Sequence, residues 1–257
     1  MPNFNGAKTI EDSILSVVSN EYSNKELIIV DGKSTDKSHD IIQNYTKKYD
    51  FIKWIDVEDK GISEAINIGL ENTSGDIIGY LGSDDLLNTD TLYKINSSKR
   101  LVNFDAIYFD SYTYYINNNI IQLRKCPNVI FNKINLIKYG TLVGLQNIFF
   151  DKKIFNKIRY NINNKYSMDY EIYFRIVEKF SNFMYIEYPA TINKFENNIS
   201  HKLAKVQTEE ALHIMYKYIT WKDLRYLPYK RIFLNYIKQL NYESNFLFKK
   251  LFKKFTI

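Results

Sequence analysis

The first third of the chain alternates short apolar segments with segments of helical spacing, and this rhythm strongly limits its fold. Apolar residues recur at helical spacing around Ile10 and Ile14, and again around Ile42 and Tyr45. The predicted helices cover 7–19, a stretch through Tyr45, and 61–72, and the predicted strands cover 27–30, 51–57 and the run that begins at Ile77. Strands and helices in alternation are typical of a parallel, doubly wound α/β sheet.

Polar or acidic residues follow each predicted strand, at the point where the strand ends. Asp31 ends the first strand, residues 59–61 follow the second, and Asp84 and Asp85 follow the third. Asp169 begins a later predicted helix. Ligands of open α/β sheets bind outside the carboxyl ends of the strands. Two adjacent anions after an apolar run are costly unless a positive partner meets them. We therefore expect Asp84 and Asp85 to bind a divalent cation, a sugar hydroxyl or both.

The pattern changes after Asp90, and the rest of the chain has a different organisation. Two extended segments, 104–115 and 120–124, predict a hairpin around three consecutive asparagines. The remaining predictions are a strand at 146–150, a helix at 168–180, an extended segment at 183–195, and helices at 205–218 and 229–255. A weak boundary near 221–228 predicts a domain over residues 1–220 and a helical basic tail over 221–257.

Several linked segments of the chain carry a family resemblance. They are Pro2-Asn3-Phe4-Asn5-Gly6, Leu27-Ile28-Ile29-Val30-Asp31-Gly32-Lys33-Ser34-Thr35-Asp36, Asp59-Lys60-Gly61-Ile62, Ala65-Ile66-Asn67-Ile68-Gly69, the run from Gly75 to Asp85, the strand at Gln146, and the helix that begins Met168-Asp169-Tyr170-Glu171. Their order and spacing resemble glycosyltransferase family 2. The resemblance implies a GT-A (Rossmann-like) fold, with a mixed, mainly parallel sheet flanked by helices. Residues 1–100 would form the nucleotide-sugar-binding half and residues 101–220 the acceptor half.

The resemblance also implies inverting transfer from a nucleotide-diphosphate sugar, and a role for each matching residue. The nucleotide-sugar-binding residues would be Pro2, Phe4, Asp31, Lys60, Asn67 and Asp84, with Pro2 and Phe4 at the base and Asp31 at the uracil or ribose. Asp85, in a DXD-like motif, would bind Mn²⁺ or Mg²⁺, hard cations that prefer carboxylate and phosphate oxygens. Asp169 would be the general base, and the helix dipole is expected to lower its pKa.

Each of these residues also has a purely structural explanation. Taken alone, Asp31 before Gly32 fits a simple turn, Lys60 a solvated surface charge, and Asp169 a helix N-cap. Asn67 equally fits packing and hydrogen bonding within its own helix. Asp84 and Asp85 after an apolar strand are the hardest to explain in this way.

Three departures from the family pattern favour an alternative function. The chain starts at Met1 where the family has a full apolar strand, Leu145 replaces a common His, and Asn197-Asn198 replace a common Gly-Gly. Because a truncated central strand would leave its neighbours unpaired, we expect either an upstream native start or a shortened, weakened form. The alternative is a catalytically weak or inactive scaffold subunit. A sugar-nucleotidyltransferase would need a Gly-rich phosphate loop near the N-terminus, and the sequence has none.

Basic charge is concentrated in the predicted tail. Residues 221–257 contain nine basic and two acidic residues, so the first 220 residues are close to neutral within a total of +6. The segment 247–255 places its lysines opposite its apolar residues at helical spacing. It fits either a helix packed on its own domain or contact with an anionic membrane surface, beside a glycan or lipid-linked acceptor. Without base-stacking aromatics on a basic patch, nucleic-acid binding is not expected.

Cysteine, histidine and hydropathy patterns bear on the compartment. Cys126 is the single cysteine, so no intrachain disulfide can form and a reducing compartment is expected. The histidines, among them His39, are scattered without metal-ligand spacing and are predicted to be surface residues. No apolar run approaches the length of a membrane span. The expected location is therefore the cytoplasm, with peripheral contact at the inner face of the cytoplasmic membrane.

Overall fold

The computed structural model describes residues 1–58, 60–195 and 200–227, without the side chains of 200–205 and Leu224. The strands are β1 (Pro2–Asn3), β2 (Leu27–Asp31), β3 (Ile52–Asp56), β4 (Ile77–Gly79), β5 (Asp85–Leu87), β6 (Ala106–Tyr115), β7 (Ile120–Arg124), β8 (Ile148–Asp151) and β9 (Phe183–Phe195). The helices are α1 (Ile10–Val18), α2 (Ser38–Lys48), α3 (Ile62–Glu71), α4 (Thr91–Leu101), α5 (Lys133–Tyr139), α6 (Met168–Val177) and α7 (Ser200–Tyr218).

The N-terminal strands form a small parallel sheet in the order β1-β2-β3. Its central strand, β2, is buried at all five positions, as expected for a strand that helices cover on both faces. The register pairs Val30 with Pro2 on one side and with Ile55 on the other. The C-terminal ends of these strands therefore bring Asn3, Asp31 and Asp56 to one edge.

The remaining strands form a mixed sheet in the order β4-β8-β6-β9-β5, with β7 also paired to β6. The pairs β4–β8, β6–β8, β5–β9 and β6–β7 are antiparallel, whereas β6–β9 is parallel. The predicted mixed α/β architecture flanked by helices is confirmed. In the part of the chain that the structure describes, parallel pairing occurs in the N-terminal sheet and between β6 and β9.

A groove separates the two sheets, where β1 stops short. Among the described strands, none pairs with the edge of β4 that faces away from β8. A cavity of about 440 Å³ lies there, and Met1, Ile28 and Ile77 are among its lining residues. The Met1 amine donates a 2.7 Å hydrogen bond to the Ile28 carbonyl. Among the described strands, the two sheets are therefore not connected by backbone pairing.

Two apolar clusters hold the sheets and helices together. One packs α1 and β2 against Phe104 and Phe109, with Ile14 and Ile29 fully buried. The other packs α6 against α5 and β8 and includes Tyr173, which is also fully buried. The second cluster fixes the helix that carries Asp169, and the first fixes the strands that lead to the acidic pair.

Most predicted elements exist, and the differences are informative. The hairpin of β6 and β7 forms as predicted, but α4 and α5 were not predicted because their apolar spacing is weak. Helix α2 follows Lys37, and the Asp36 carboxylate accepts a hydrogen bond from the Ser38 backbone N–H. The predicted tail helix at 229–255 lies outside the described residues. Within those described, no helix is both long and apolar enough to span a membrane.

Candidate functional site

The acidic pair lies where β4 ends and β5 begins. The regular strand stops at Gly79, and a turn leads to Asp84, which is exposed, and to Asp85, the first residue of β5. Gly82 lies directly below both carboxylates. A Cβ built on Gly82 would stand 2.7 Å from Asp84 Oδ1 and 3.1 Å from Asp85 Oδ2. The two carboxylates therefore converge on one point above a residue without a side chain.

Asp85 carries its negative charge in an unfavourable environment. Burial, and then the neighbouring charge of Asp84, raise the pKa of Asp85 to about 7. A hydrogen bond from the Lys194 backbone N–H and the Lys194 charge only partly offset this rise in pKa. The Lys194 ammonium itself is 2.7 Å from Asp12 Oδ2. A bound cation would relieve the remaining negative charge on Asp85.

Asp169 lies in the first turn of α6, whose N-cap is Ser167. Its Oδ1 accepts a 2.7 Å hydrogen bond from the Tyr170 backbone N–H. The expectation that the helix dipole lowers its pKa is wrong. Burial raises the pKa of Asp169 to about 6, the backbone hydrogen bonds oppose this rise, and the charge of Glu210 adds to it. Desolvation of the carboxylate outweighs the favourable helix N-terminus.

Tyr80 connects the acidic pair with Asp169. Its side chain is partly buried in the turn that follows β4. Burial raises the pKa of the Tyr80 hydroxyl, and the charges of Asp85, Asp84 and Asp169 each raise it further. One hydroxyl thus lies within electrostatic reach of all three carboxylates. Tyr80 is thus the residue through which the acidic pair and Asp169 are electrostatically related.

Asp31 lies at the end of β2, where its carboxylate is fully buried. Oδ1 accepts hydrogen bonds from Asn3 Nδ2 at 2.5 Å and Ser34 Oγ at 2.7 Å, and Oδ2 accepts one from the Ser34 backbone N–H at 2.9 Å. Both oxygens are thus used within the protein. Asp31 holds the segment after β1 against the loop after β2, and a direct contact with a base would require one of these bonds to break.

His39 lies between two carboxylates, and its side chain is 37% exposed. Its Nε2 is 2.8 Å from Asp31 Oδ2 and 3.5 Å from Asp56 Oδ1, and its ring packs edge-on against Trp54. It is therefore not a free surface residue. A ligand atom from each of His39, Asp31 and Asp56 lies within 4.8 Å of the others. The pairing was not visible in the sequence, because it depends on β2, β3 and α2 meeting at one edge.

Asn67 lies on α3, and Lys60 lies just before it. Asn67 Nδ2 donates to the Tyr160 carbonyl at 2.9 Å, and its Oδ1 accepts from the Tyr160 backbone N–H at 2.8 Å. Since both polar atoms of Asn67 are used, it braces the loop before α6. Lys60 is exposed, and its ammonium is 3.5 Å from Glu64 Oε1, one turn along the helix. Asp59, beside it, lies outside the described residues.

Pro2 and Phe4 lie at and just after the end of β1. Pro2 pairs with Val30 in the sheet, and Phe4 is 54% exposed. Such an exposed aromatic beside a strand end is available to stack on a planar ligand. Nothing in the sequence pointed to Tyr80, Lys194 or His39 as members of the site. Leu145, where a His was expected from the family, is buried in a short 3₁₀-helix.

The chain matches a family model for most of its length. The model for glycosyl transferase family 2 matches residues 1–176. The chain belongs to glycosyl transferase family 2. A poly-β-1,6-N-acetyl-D-glucosamine synthase of Staphylococcus epidermidis is 29% identical over 143 residues, which are 55% of this chain and 32% of that protein. The chain thus spans about a third of the length of this curated relative.

Solved structures share the fold of this family 2 chain. Superposition on S. aureus TarS 1-349 in complex with UDP-GlcNAc gives a TM-score of 0.68 at 14% identity, over 95% of this chain and 76% of that one. The mannosyltransferase PcManGT of Pyrobaculum calidifontis, in complex with GDP-Man and Mn²⁺, gives 0.62 at 15% identity, over 84% and 61%. At these identities the similarity establishes the GT-A fold alone.

The acidic pair fits a divalent cation on the geometry of this chain. Two carboxylates converge above Gly82, and that of Asp85 is partly buried, with its pKa raised to about 7. Mg²⁺ and Mn²⁺ take oxygen ligands, and Mg²⁺ in particular uses one or two carboxylates together with substrate phosphates. The arrangement supplies that number of carboxylates and leaves the remaining positions open.

Proposed function

We propose that this chain transfers a sugar from a nucleotide-diphosphate sugar, a UDP-sugar in the first instance, to a glycan or lipid-linked acceptor with inversion. The observation that supports this most directly is the convergence of Asp84 and Asp85 above Gly82, with Tyr80 linking them to Asp169. A cation site and a general base then act on opposite sides of one sugar. Membership of glycosyl transferase family 2 and the shared fold are consistent with this reaction.

Asp85 is the proposed metal ligand, and Asp84 the proposed contact for the ribose or sugar. A divalent cation bound there would stabilise the negative charge that develops on the diphosphate leaving group. Phe4 and Pro2 provide an apolar edge for the base beside the end of β1. Asp31 supports this edge from below through Asn3 and Ser34, so we assign it the shaping of the base pocket.

Asp169 is the proposed general base. It accepts the proton of the acceptor hydroxyl while the acceptor oxygen bonds to the anomeric carbon. The bond from that carbon to the diphosphate oxygen breaks at the same time, and its electron pair leaves with the diphosphate. One displacement from the opposite side inverts the configuration. With a pKa of about 6, Asp169 is ionised at pH 7 and is a stronger base than a solvated aspartate.

Calorimetry tests the donor half of the proposal. UDP with Mn²⁺ should bind the parent chain, and Asp85→Asn should weaken binding at least ten-fold. Asp50→Asn, at an exposed aspartate between α2 and β3, should bind as the parent does. A folded chain that binds no nucleotide would contradict the proposal. A screen of nucleotide-sugars for Mn²⁺-dependent hydrolysis then identifies the donor.

A catalytically weak scaffold subunit is the second candidate function. The groove between the two sheets favours it, because a donor site built on strands without continuous pairing has less support. The two candidates differ in turnover: a scaffold releases no UDP from any donor even when it binds a partner. Steady UDP release that depends on Asp169 excludes the scaffold function.

The cellular role we propose is extension of a bacterial-type surface glycan such as an O-antigen or capsule, at the inner face of the cytoplasmic membrane. Support comes from the relative that makes a poly-N-acetylglucosamine and from the two-faced sequence of 247–255, which lies outside the described residues. Co-sedimentation with anionic liposomes should fall when residues 245–257 are removed. Equal co-sedimentation of both forms would exclude the membrane contact.

A further inference from the structure

A carboxylate on α7 binds the loop that leads into the helix of Asp169. Glu210 Oε1 accepts a 2.8 Å hydrogen bond from the backbone N–H of Lys165. Its Oε2 accepts bonds from the backbone N–H groups of Tyr166 at 2.7 Å and Ser167 at 2.6 Å. One side chain therefore satisfies three consecutive backbone donors. Such bonds to a charged acceptor are stronger than bonds between neutral groups.

Gln207 extends the same contact from one turn earlier on α7. The backbone carbonyl of Gln207 accepts a 3.0 Å hydrogen bond from Ser167 Oγ, and the side-chain Nε2 of Gln207 donates one to the Tyr166 carbonyl at 3.2 Å. Ser167 is the N-cap of α6 but makes no capping bond with its own side chain. Glu210 takes over part of that function from another helix, since it places a carboxylate at the positive N-terminus of α6.

The other end of α7 is fixed against α6 as well. Tyr218 Oη donates a 2.7 Å hydrogen bond to Glu171 Oε1, and the Tyr218 ring stacks on Phe174 with centroids 5.0 Å apart. Glu171 is held in turn by Arg175 on the same helix. With contacts at both ends, α7 cannot slide along α6 without breaking several of them. The loop and the first turn of α6 therefore take their position from α7.

We propose that Glu210 is the positioning residue for Asp169: it holds the loop 165–167 so that the first turn of α6 presents Asp169 to the acceptor. The assignment of a base to Asp169 rests on the proposed function. Electrostatic interactions link Asp169 to Tyr80 after β4, Tyr160 in the preceding loop, Tyr173 on α6 and Glu210 on α7. Glu210 is the charged member of this set. It therefore acts on the proton affinity of Asp169 as well as on its position.

Carboxyl NMR of the full chain with ¹³C-labelled aspartate tests this directly. The Asp169 signal is assigned by its loss in Asp169→Asn, and its pKa is followed by titration. Glu210→Gln removes the charge but keeps one acceptor oxygen, so the pKa of Asp169 should fall by roughly half a unit. Glu209→Gln makes the same charge change at the neighbouring position and should leave that pKa as in the parent. An unchanged pKa in Glu210→Gln would overturn the proposal.

Amide hydrogen exchange provides a measurement on the unaltered chain. The amides of Lys165, Tyr166 and Ser167 should exchange at least about ten-fold more slowly than unstructured amides. Fast exchange of all three in the parent would overturn the proposal even if no variant folds. Enzyme assays separate this idea from the proposed function: absence of transfer would refute the reaction, whereas the exchange and NMR results would still decide the role of Glu210.

Discussion

Gly82 lies against the carboxylate of Asp84 so closely that no side chain fits between them: a Cβ would stand 2.7 Å from Oδ1. Asp85 approaches the same point from the other side. The absence of a side chain at Gly82 thus lets the ends of both aspartate side chains lie close to one point. The convergence of the two carboxylates is therefore a property of the backbone at Gly82 as much as of the acidic pair.

Gly82→Ala should separate the two carboxylates and weaken cation binding. The added methyl must displace Asp84 or Asp85, since a 2.7 Å approach is not tolerated. We expect the affinity for Mn²⁺ with UDP to fall about ten-fold or more, a loss of about 1.4 kcal/mol. Gly69→Ala is the matched control, because its Cβ would meet Val30 at an ordinary 3.6 Å within α3. Calorimetry of both variants decides; equal affinities would show that Gly82 is dispensable.

The pH dependence of transfer should follow Asp169. The base must be ionised, so kcat/KM should rise with pH through about 6, the pKa of Asp169, and level off above it. Asp169→Asn should lower kcat by roughly 10²–10⁴-fold and leave UDP–Mn²⁺ affinity nearly unchanged. Initial rates with saturating metal across pH 5–8 test both statements. If kcat/KM of Asp169→Asn, measured on its residual activity, still rises with pH through about 6, another group causes the pH dependence.

The carboxylate of Asp169 should make the folded chain less stable as pH rises, whereas a salt-bridged aspartate makes it more stable. Its pKa in the folded chain, about 6, exceeds the 3.8 of an unburied aspartate, so the folded chain binds the proton more tightly than the unfolded chain. Its contribution to stability is therefore largest below about pH 4 and is lost as pH rises through 6. Asp169→Asn should raise the free energy of unfolding at pH 7 by roughly 1–3 kcal/mol. Urea denaturation at pH 4 and pH 7 provides the comparison, and an equal effect at both pH values would contradict this linkage.

The sequence predicted the elements that have strong local signals and the acidic residues at their ends. β6 and β7 were predictable from extended runs around an asparagine turn, and Asp84 and Asp85 from an apolar run that ends in two anions. The pKa of Asp169 was predicted in the wrong direction, because the helix position is local whereas burial comes from α7 and the loop before α6. The partners of His39 and Asn67 were likewise unpredictable, since β3 and Tyr160 meet them only after folding.

Asn67 should contribute to stability through its two bonds to Tyr160. Asn67→Leu keeps the branched shape of the side chain but leaves the backbone N–H and carbonyl of Tyr160 without these partners. We expect a loss of about 1–3 kcal/mol in the free energy of unfolding. Asn44→Leu, at an exposed position on α2, should change stability by less than about 0.5 kcal/mol. Chemical denaturation of both variants compares them, and equal losses would show that the bonds to Tyr160 add nothing.

The Met1 amine should make the 257-residue chain less stable at low pH. Burial lowers the pKa of this amine from 8.0 to about 5. Between pH 5 and pH 8, the amine therefore binds a proton in the unfolded chain but not in the folded chain. Stability should therefore rise with pH from 5 to 8, by up to about 4 kcal/mol from this group.

An apolar extension of four residues before Met1 should remove this effect and stabilise the chain. It moves the amine out of the groove and places apolar side chains in the cavity of about 440 Å³ between the sheets, which stabilises folding by roughly 25 cal/mol for each Å² buried. A Gly-Ser-Gly-Ser extension is the matched control: it also moves the amine but buries no apolar surface. Because Asp85 and Asp169 titrate in the parent and in both extended chains, their effects cancel in the difference in unfolding free energy. That difference therefore measures the contribution of the groove. If both extensions give equal stability at pH 8, the groove does not accept an apolar strand.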